Sequence, residues 1–284
     1  LGPNGAGKSS VMKILAGTHR STSGVALVSG YNVDTDRLRV FENLGSCPQF
    51  EVFWPNMSVR GHLEYYARLK GISSSKVKFL SRSIAEAVGL GTRQIFNRRA
   101  KHLSGGMKRR LSIAISLIGS PKVLLLDEPT TGLDPRTRHD IWDLIKLFNT
   151  SKRSIIITTH MMSEADVLCD RIAIMARGNL RVIGTQQRLK DVFGSGYTLS
   201  LNIIKGAHEQ ALDYVKANIS KDATIAYAQG RSMRVNLPRD GLNLSDIFRC
   251  LINEDALMNG NINAWVLNQS SLEDVFVNVT EKYL

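Results

Sequence analysis

Lys8 and Ser9 close the run Leu1-Gly2-Pro3-Asn4-Gly5-Ala6-Gly7-Lys8-Ser9-Ser10, in which three glycines precede a cation and a hydroxyl. The run satisfies G-x-x-x-x-G-K-[ST], and the chemistry of that pattern is the wrapping of a polyphosphate. Such a ligand concentrates charge, so its host needs many donors and little bulk around them. Gly2, Gly5 and Gly7 allow close backbone approach and positive φ, which turns successive N–H groups inward. The cradle runs from Gly2 to Ser10 and includes Pro3, Asn4 and Ala6. Lys8 supplies an ammonium for the β and γ oxygens, and Ser9 offers a hydroxyl to Mg²⁺. A helix opening at Lys8 adds its positive N-terminal end to the same anion. A plain glycine-rich turn before a helix would not require the terminal Gly-Lys-Ser.

Further along, Val123-Leu-Leu-Leu-Asp127 is followed by Glu128. Two carboxylates at the C-terminal end of a strand stand where open α/β sheets bind ligands. Asp127 is suited to the Mg²⁺ shell, and Glu128 to accepting a proton from attacking water. His160 follows the apolar strand Ser154-Ile-Ile-Ile-Thr158, where its imidazole can reach a γ-phosphate. Gln49 sits at another strand end and can bridge Mg²⁺ and the water. Ser104-Gly105-Gly106 opens a helix and makes a second anion site in the same chain. Two phosphate-binding helix tips in one chain predict a head-to-tail pair, each loop facing the other chain's Ser104-Gly105-Gly106 with a nucleotide between.

The elements that must hold these residues follow from periodicity and punctuation. Val11 to Leu15 continues the first helix, and Gly17 ends it. Gly24 to Gly30 reads as a strand with turns at both ends, and Asn43 to Pro48 as a strand delivering Gln49. Ser58 caps a helix with Val59, Leu63, Tyr66 and Ala67 on one face, and a second helix runs from Ser75 to Val88. Residues 58–120 thus read as a helical insertion. The helix from Gly105 carries the stripe Met107, Leu111, Ala114, Ile115 and Ile118. Val123 to Asp127 and Ser154 to Thr158 are short apolar runs, as in a parallel sheet covered on both faces. Asp134 caps and Pro135 opens a helix with Ile141, Leu144, Ile145 and Phe148 on its core side. Arg177-Gly178-Asn179 marks a hairpin between Arg171–Ala176 and Leu180–Ile183.

The pattern changes at Gly194-Ser195-Gly196. Beyond it come strand 197–204, helix 207–219, strands 223–228 and 231–237, helix 244–257 and strand 262–268, then an amphipathic segment from Leu272 to Tyr283. The order β-α-β-β-α-β is the split, ferredoxin-like arrangement. The fold class is therefore α/β, a P-loop NTPase core with a parallel sheet and helical insertion in 1–194. A small ferredoxin-like α+β domain in 195–284 follows it.

The formal charge of +12 is lopsided. Residues 1–194 hold 29 Lys and Arg against 15 Asp and Glu, whereas 195–284 hold 8 against 10. The densest cluster (Arg93, Arg98, Arg99, Lys101, Lys108, Arg109, Arg110) has few aromatics interleaved for base stacking and reads as a solvated, phosphate-friendly face. Strands 197–204 and 231–237 also lack the paired aromatics that stack RNA bases, so that domain reads as regulatory or partner-binding. Cys47, Cys169 and Cys250 are odd in number and far apart, which suits buried thiols in a reducing compartment rather than a disulfide frame or zinc site. No apolar run approaches the roughly 18 residues that span a bilayer. The chain begins with Leu, and no strand precedes its phosphate loop, so it reads as a fragment.

Taken jointly, these motifs resemble the nucleotide-binding domain of an ATP-binding cassette (ABC) transporter. GPNGAGKS at 2–9 resembles the Walker A loop, Gln49 in CPQF the Q-loop, LSGGMKRR at 103–110 the signature, and LLLDEP at 124–129 Walker B. GLDP at 132–135 resembles the D-loop and TTH at 158–160 the switch histidine. Met107 stands where the family usually has glutamine, and LSGGMKRR is similar to the A subfamily and to related bacterial drug and lipid exporters. Ser271-Leu-Glu-Asp-Val-Phe276 is similar to the C-terminal regulatory domain of those proteins. The resemblance implies an ATPase that uses ATP and Mg²⁺ and is coupled to transport of lipid or another hydrophobic substrate. It implies a second nucleotide-binding domain and transmembrane domains as partners, the cytosolic face of a membrane as location, and no nucleic acid. It assigns Glu128, His160, Lys8 and Gln49 to catalysis, Ser9, Gln49 and Asp127 to the metal, and Asp134 to coupling the two sites. The aromatic residue stacked on adenine would lie upstream of Leu1. The rival readings are a soluble ABC ATPase acting on nucleic acid or ribosomes, disfavoured by the missing heptad coiled coil and by the ferredoxin-like tail, and a non-hydrolysing nucleotide sensor.

Overall fold

The computed structural model describes residues 1–194, 196–238, 242–252 and 261–281. The elements follow the chain as α1 (Lys8–Leu15), β1 (Leu27–Val28), β2 (Tyr31–Asn32), α2 (Arg37–Asn43), β3 (Leu44–Cys47), α3 (Val59–Leu69), α4 (Ser74–Ala87), α5 (Arg93–Phe96) and α6 (Gly105–Ser116). After these come β4 (Val123–Asp127), α7 (Pro135–Phe148), β5 (Ser154–Thr158), α8 (Met162–Leu168), β6 (Ile172–Ala176), β7 (Asn179–Gly184) and α9 (Gln186–Phe193). The remainder is β8 (Tyr197–Ile203), α10 (His208–Asn218), β9 (Thr224–Gln229), β10 (Ser232–Leu237), α11 (Leu244–Ile252), β11 (Ile262–Gln269) and α12 (Leu272–Glu281). The chain forms two compact units, Leu1–Cys169 with Met175–Asn179, and Asp170–Ile174 with Leu180–Leu284.

In the first unit, β3, β4 and β5 form a parallel sheet with Cys47 opposite Leu126 and Asp127 opposite Thr158. The alternation of strand side chains divides the leucines of β4 between its two faces. Leu124 and Leu126 join a core with Val59, Leu63, Leu111, Ile113 and Ile141, whereas Leu125 packs with Met12, Val28, Val40 and Leu44. Each fully buried leucine contributes about 1.5–3 kcal/mol of transfer free energy, so β4 is fixed on both sides. That is the element ending in the two carboxylates. Ser58 and Asp134 cap α3 and α7 as expected: Ser58 Oγ accepts the Gly61 N–H, and Asp134 Oδ2 accepts the Thr137 N–H.

Two expectations are corrected here. The segment 24–30 is not one strand but half of a small hairpin, in which Val28 faces Tyr31 across Ser29 and Gly30. Both loop residues have positive φ, 51° and 84°, the geometry of a tight two-residue hairpin turn. Strand β5 is not covered on both faces: it is the edge of the described three-stranded sheet, and Ile156 is 42% exposed.

In the second unit the sheet order is β11-β8-β10-β9, with every neighbouring pair antiparallel. This is the ferredoxin-like arrangement expected from the element order. Leu199, Leu201, Ile203, Met233, Val235 and Leu237 face α10 and α11 and pack with Ala211, Val215, Ile247 and Leu251. Residues 253–257 of the expected helix 244–257 and Tyr283 of the expected last segment lie outside the described residues, as does Ser195. Helix α9 packs on α12, where Asn278 Nδ2 donates to the Phe193 carbonyl at 3.0 Å, so residues just before Gly194 belong with the second compact unit. No helix among the described residues is long and apolar enough to cross a membrane.

Candidate functional site

The phosphate-loop residues lie against the end of β6 and the turn after it. The Leu1 carbonyl accepts the Met175 N–H at 2.8 Å, and the Ala6 carbonyl accepts the Gly178 N–H at 3.2 Å. A Cβ on Gly2 would stand 2.7 Å from the Met175 carbonyl oxygen, so the loop has no room for a side chain there. Gly7 has φ 97° and carries the chain into α1, whose N-terminus has no side-chain cap. The first N–H groups of α1 lack intrahelical acceptors and are therefore available to an anion.

Lys8 is only 6% exposed. Its Nζ donates to the Gly2 carbonyl at 2.8 Å and to the Pro3 carbonyl at 3.1 Å, and stands 3.7 Å from Glu128 Oε1. Ser9 Oγ donates to Asp127 Oδ1 at 3.2 Å, so the hydroxyl and carboxylate expected to share a metal are already neighbours across 118 residues of sequence. The Thr158 hydroxyl also donates to Asp127 Oδ1.

Glu128 is the hub. Gln49 Nε2 donates to its Oε2 at 3.0 Å, and Thr131 Oγ1 donates to the same oxygen at 3.1 Å. Its other oxygen faces Lys8 and, at 3.5 Å, His160 Nδ1. His160 is 40% exposed, so it can also turn outward to a ligand. The backbone at Glu128 has φ 45°, a left-handed conformation uncommon for a residue with a Cβ. Its N–H is held there by the Thr158 carbonyl at 3.0 Å and hydroxyl at 3.1 Å. Strain of this kind persists where the surroundings over-determine it, and here β5 does so.

Four other expected residues stand apart from this cluster. Ser104 Oγ accepts the Met107 N–H at 3.3 Å, which makes it the cap of α6. Ser104 and Gly105 are exposed. A Cβ on Gly106 would lie 2.6 Å from Thr137 Cγ2, so this glycine is also needed for close packing of α6 on α7. Among the described residues, no hydrogen bond or ion pair joins the Ser104–Gly106 tip to Lys8 or Glu128. Asp134 is exposed beside that tip, its carboxyl held below the usual range by hydrogen bonds from the Thr137 side chain and then its backbone.

The basic cluster is corrected by this geometry. Arg109 is buried, its guanidinium spent on backbone carbonyls, and Arg110 ties the Val88 carbonyl (3.1 Å) to Asp140 Oδ2 (3.0 Å). Arg109 therefore does not belong to a solvated face, whereas the Arg110 side chain stays partly exposed beside the exposed Asp140. Cys47, fully buried on the strand leading to Gln49, has its thiol pushed up to about 11 by burial and is chemically quiet.

Thr131, Thr158 and Arg109 were not singled out for these roles by sequence. Thr158 carried a signal, since it ends a parallel strand beside β4. Arg109 carried none that separated it from its basic neighbours.

The donor set suits a hard cation. One hydroxyl, one carboxylate and an amide oxygen, completed by phosphate oxygens, is the sparse environment that Mg²⁺ takes. No trio of His, Cys, Asp or Glu arranged to hold a metal occurs among the described residues.

Comparison with known proteins agrees with this geometry. Residues 1–131 match the family described as ABC transporter. Over 281 residues the chain is 40% identical to ABC transporter A family member 8 of Arabidopsis thaliana, covering 99% of this chain and 31% of that protein. Over 279 residues it is 39% identical to A family member 12 of the same plant, covering 98% and 30%. A solved ATP-binding subunit of an ABC transporter superposes with a TM-score of 0.61 at 24% identity, over 68% of this chain and 80% of that one, and shows the common fold. Fold and site define a P-loop ATPase domain. Residues 1–131 carry the ABC transporter domain, and the likeness along the whole chain makes it a nucleotide-binding domain of the A-family type. ATP binding and hydrolysis are characteristic of that family, and the chain spans about a third of the length of these relatives.

Proposed function

We propose that this domain is the ATP-hydrolysing motor of a membrane transporter and that it works as one of a pair. The observation that carries the reading is the convergence of Lys8, Gln49 and His160, from three separate parts of the chain, on the carboxylate of Glu128. Residues 2–10 bind the phosphates. Mg²⁺, held by Ser9, Asp127 and Gln49, would neutralise charge on the β and γ oxygens. Transfer of Lys8 and His160 to the γ-phosphate frees Glu128 Oε1 to accept the proton of water, while Gln49 orients that water from the other side. Lys8 and His160 then stabilise charge on the transferring phosphoryl group.

Ser104 and Gly105 are exposed, and among the described residues no hydrogen bond or ion pair joins the Ser104–Gly106 tip to the chain's own Glu128, which supports its use by a second domain's nucleotide. Asp134, beside that tip, would couple the two sites. We assign residues 1–194 to the ATPase domain, with 58–120 as its helical part, and 195–284 to a regulatory domain. The segment from Phe50 to Asn56 would pass the motion to transmembrane domains, placing the motor at the cytosolic face. Lipid or another hydrophobic compound is the proposed cargo, on the A-family likeness. The test is ATP turnover of the full-length Glu128→Gln protein. A loss of about a hundredfold or more is expected of a missing general base, and a rate near wild type would remove Glu128 from that role.

A further inference from the structure

Helix α6 does more than present Ser104–Gly106. Five residues from its cap, about 7 Å along the axis, Arg109 turns inward and is 5% exposed. Its Nε donates to the Pro129 carbonyl at 2.7 Å, its Nη2 to the Asp127 carbonyl at 3.0 Å, and its Nη1 to the carbonyls of Pro48 at 2.7 Å and Gln49 at 3.4 Å. These four acceptors are the last carbonyl of β4 and three on the two loops that leave the C-terminal ends of β3 and β4. The ladder between those strands ends at Cys47 and Leu126, and Pro48 and Pro129 have no N–H to extend it. The Asp127 and Pro129 carbonyls are bonded in buried surroundings and those of Pro48 and Gln49 in part-buried ones, and a single guanidinium supplies the donors. The other end of α6 is seated directly on β3, because a Cβ on Gly45 would lie 1.9 Å from the Ser116 carbonyl.

We propose that Arg109 is the positioning residue that holds Gln49 and Glu128 in register with each other, from the same helix whose tip covers the partner's nucleotide. The assignment deepens the hydrolytic role proposed above and rests on it. A shift of α6 on engaging the second nucleotide moves the backbone on both sides of the Gln49–Glu128 hydrogen bond together, so closure at one site sets the water-activating pair of the other. Arg109 touches no reacting atom. The spread of its fork does the work, and a lysine keeps the charge but offers its donors from a single point.

The experiment compares full-length wild type, Arg109→Lys, Gln49→Ala, the double variant and Glu128→Gln for Mg-ATP affinity, kcat and KM. Thermal melting of Arg109→Lys establishes that it folds, and Arg109→Met serves as the charge-deleted extreme. For Arg109→Lys, ATP affinity within about twofold of wild type and a kcat lower by about tenfold or more are expected, the scale of losing charge-assisted hydrogen bonds. Combined with Gln49→Ala the losses are not additive, because both act on one water-orienting amide. Three results would each overturn the assignment: a wild-type kcat, affinity and kcat falling by one common factor, or strictly additive losses. If Glu128→Gln is inactive while Arg109→Lys is normal, only Arg109 loses its role. If Glu128→Gln turns over like wild type, the hydrolytic reading itself fails.

Discussion

Replacing Glu164 by alanine tests how the switch region is fixed. Glu164 lies on α8, just after His160, and is 1% exposed. Its Oε1 accepts the Thr130 hydroxyl at 2.8 Å and the Trp142 indole N–H at 3.1 Å. One carboxylate thus joins the helix after His160 to the turn after Glu128 and to α7. Removing it strands two buried donors, since Thr130 and Trp142 are themselves buried. At about 1–3 kcal/mol for each donor left unsatisfied, Glu164→Ala should cost about 2–6 kcal/mol. For a domain of this size that is a fall in Tm of roughly 5–15 °C. Glu164→Gln keeps an acceptor oxygen and should cost about 1 kcal/mol, mainly from losing the charge on the acceptor. Denaturant unfolding of the purified protein, followed by tryptophan fluorescence, measures both. An alanine variant within about 0.5 kcal/mol of wild type, the range of an ordinary surface change, would refute the linkage.

Other expectations concern packing and pH. Gly106→Ala drives a methyl toward Thr137 and should cost about 1–3 kcal/mol of overpacking, with Thr137→Ala restoring most of it in the double variant; a melt unchanged by Gly106→Ala would show that α6 is not so closely seated on α7. His62 is fully buried, accepts the Trp54 N–H at Nε2 (3.1 Å) and meets the Ser58 carbonyl at Nδ1 (2.8 Å), so both ring nitrogens are satisfied only in the neutral form. Burial lowers its pKa from the ordinary 6.5. The unfolded chain therefore binds this proton first, and the contribution of His62 is intact above about pH 6.5 and lost as pH falls toward the folded value. Unfolding free energy measured from pH 7.5 to 5 should fall more steeply in wild type than in His62→Gln, and equal slopes would contradict this.

Much of the candidate cluster was legible because its motifs are local in sequence. Gly7-Lys8-Ser9 and Asp127-Glu128 each form a motif of a few adjacent residues, and β4, which leads to the second, shows in an uninterrupted apolar run. The helix caps at Ser58 and Asp134 were equally readable, since capping depends on the next three residues alone. What escaped depends on long-range packing. Arg109 and Arg93 are indistinguishable by type, and only the meeting of α6 with the ends of β3 and β4 buries one and leaves the other in water. The exposure of Ile156 likewise depends on what packs over that face of β5, which periodicity does not encode. The returning strand at 31–32 was missed because Ser29, with positive φ, does the work usually signalled by asparagine or a second glycine.

The most direct measurement is the identity of nucleotide retained by the full-length Glu128→Gln protein after incubation with Mg-ATP and removal of the free ligand. Intact, unhydrolysed ATP held by the paired domains is the expected result. ADP accumulating at the wild-type rate would show that the water is activated elsewhere, and the convergence of Lys8, Gln49 and His160 on Glu128 would then have another purpose.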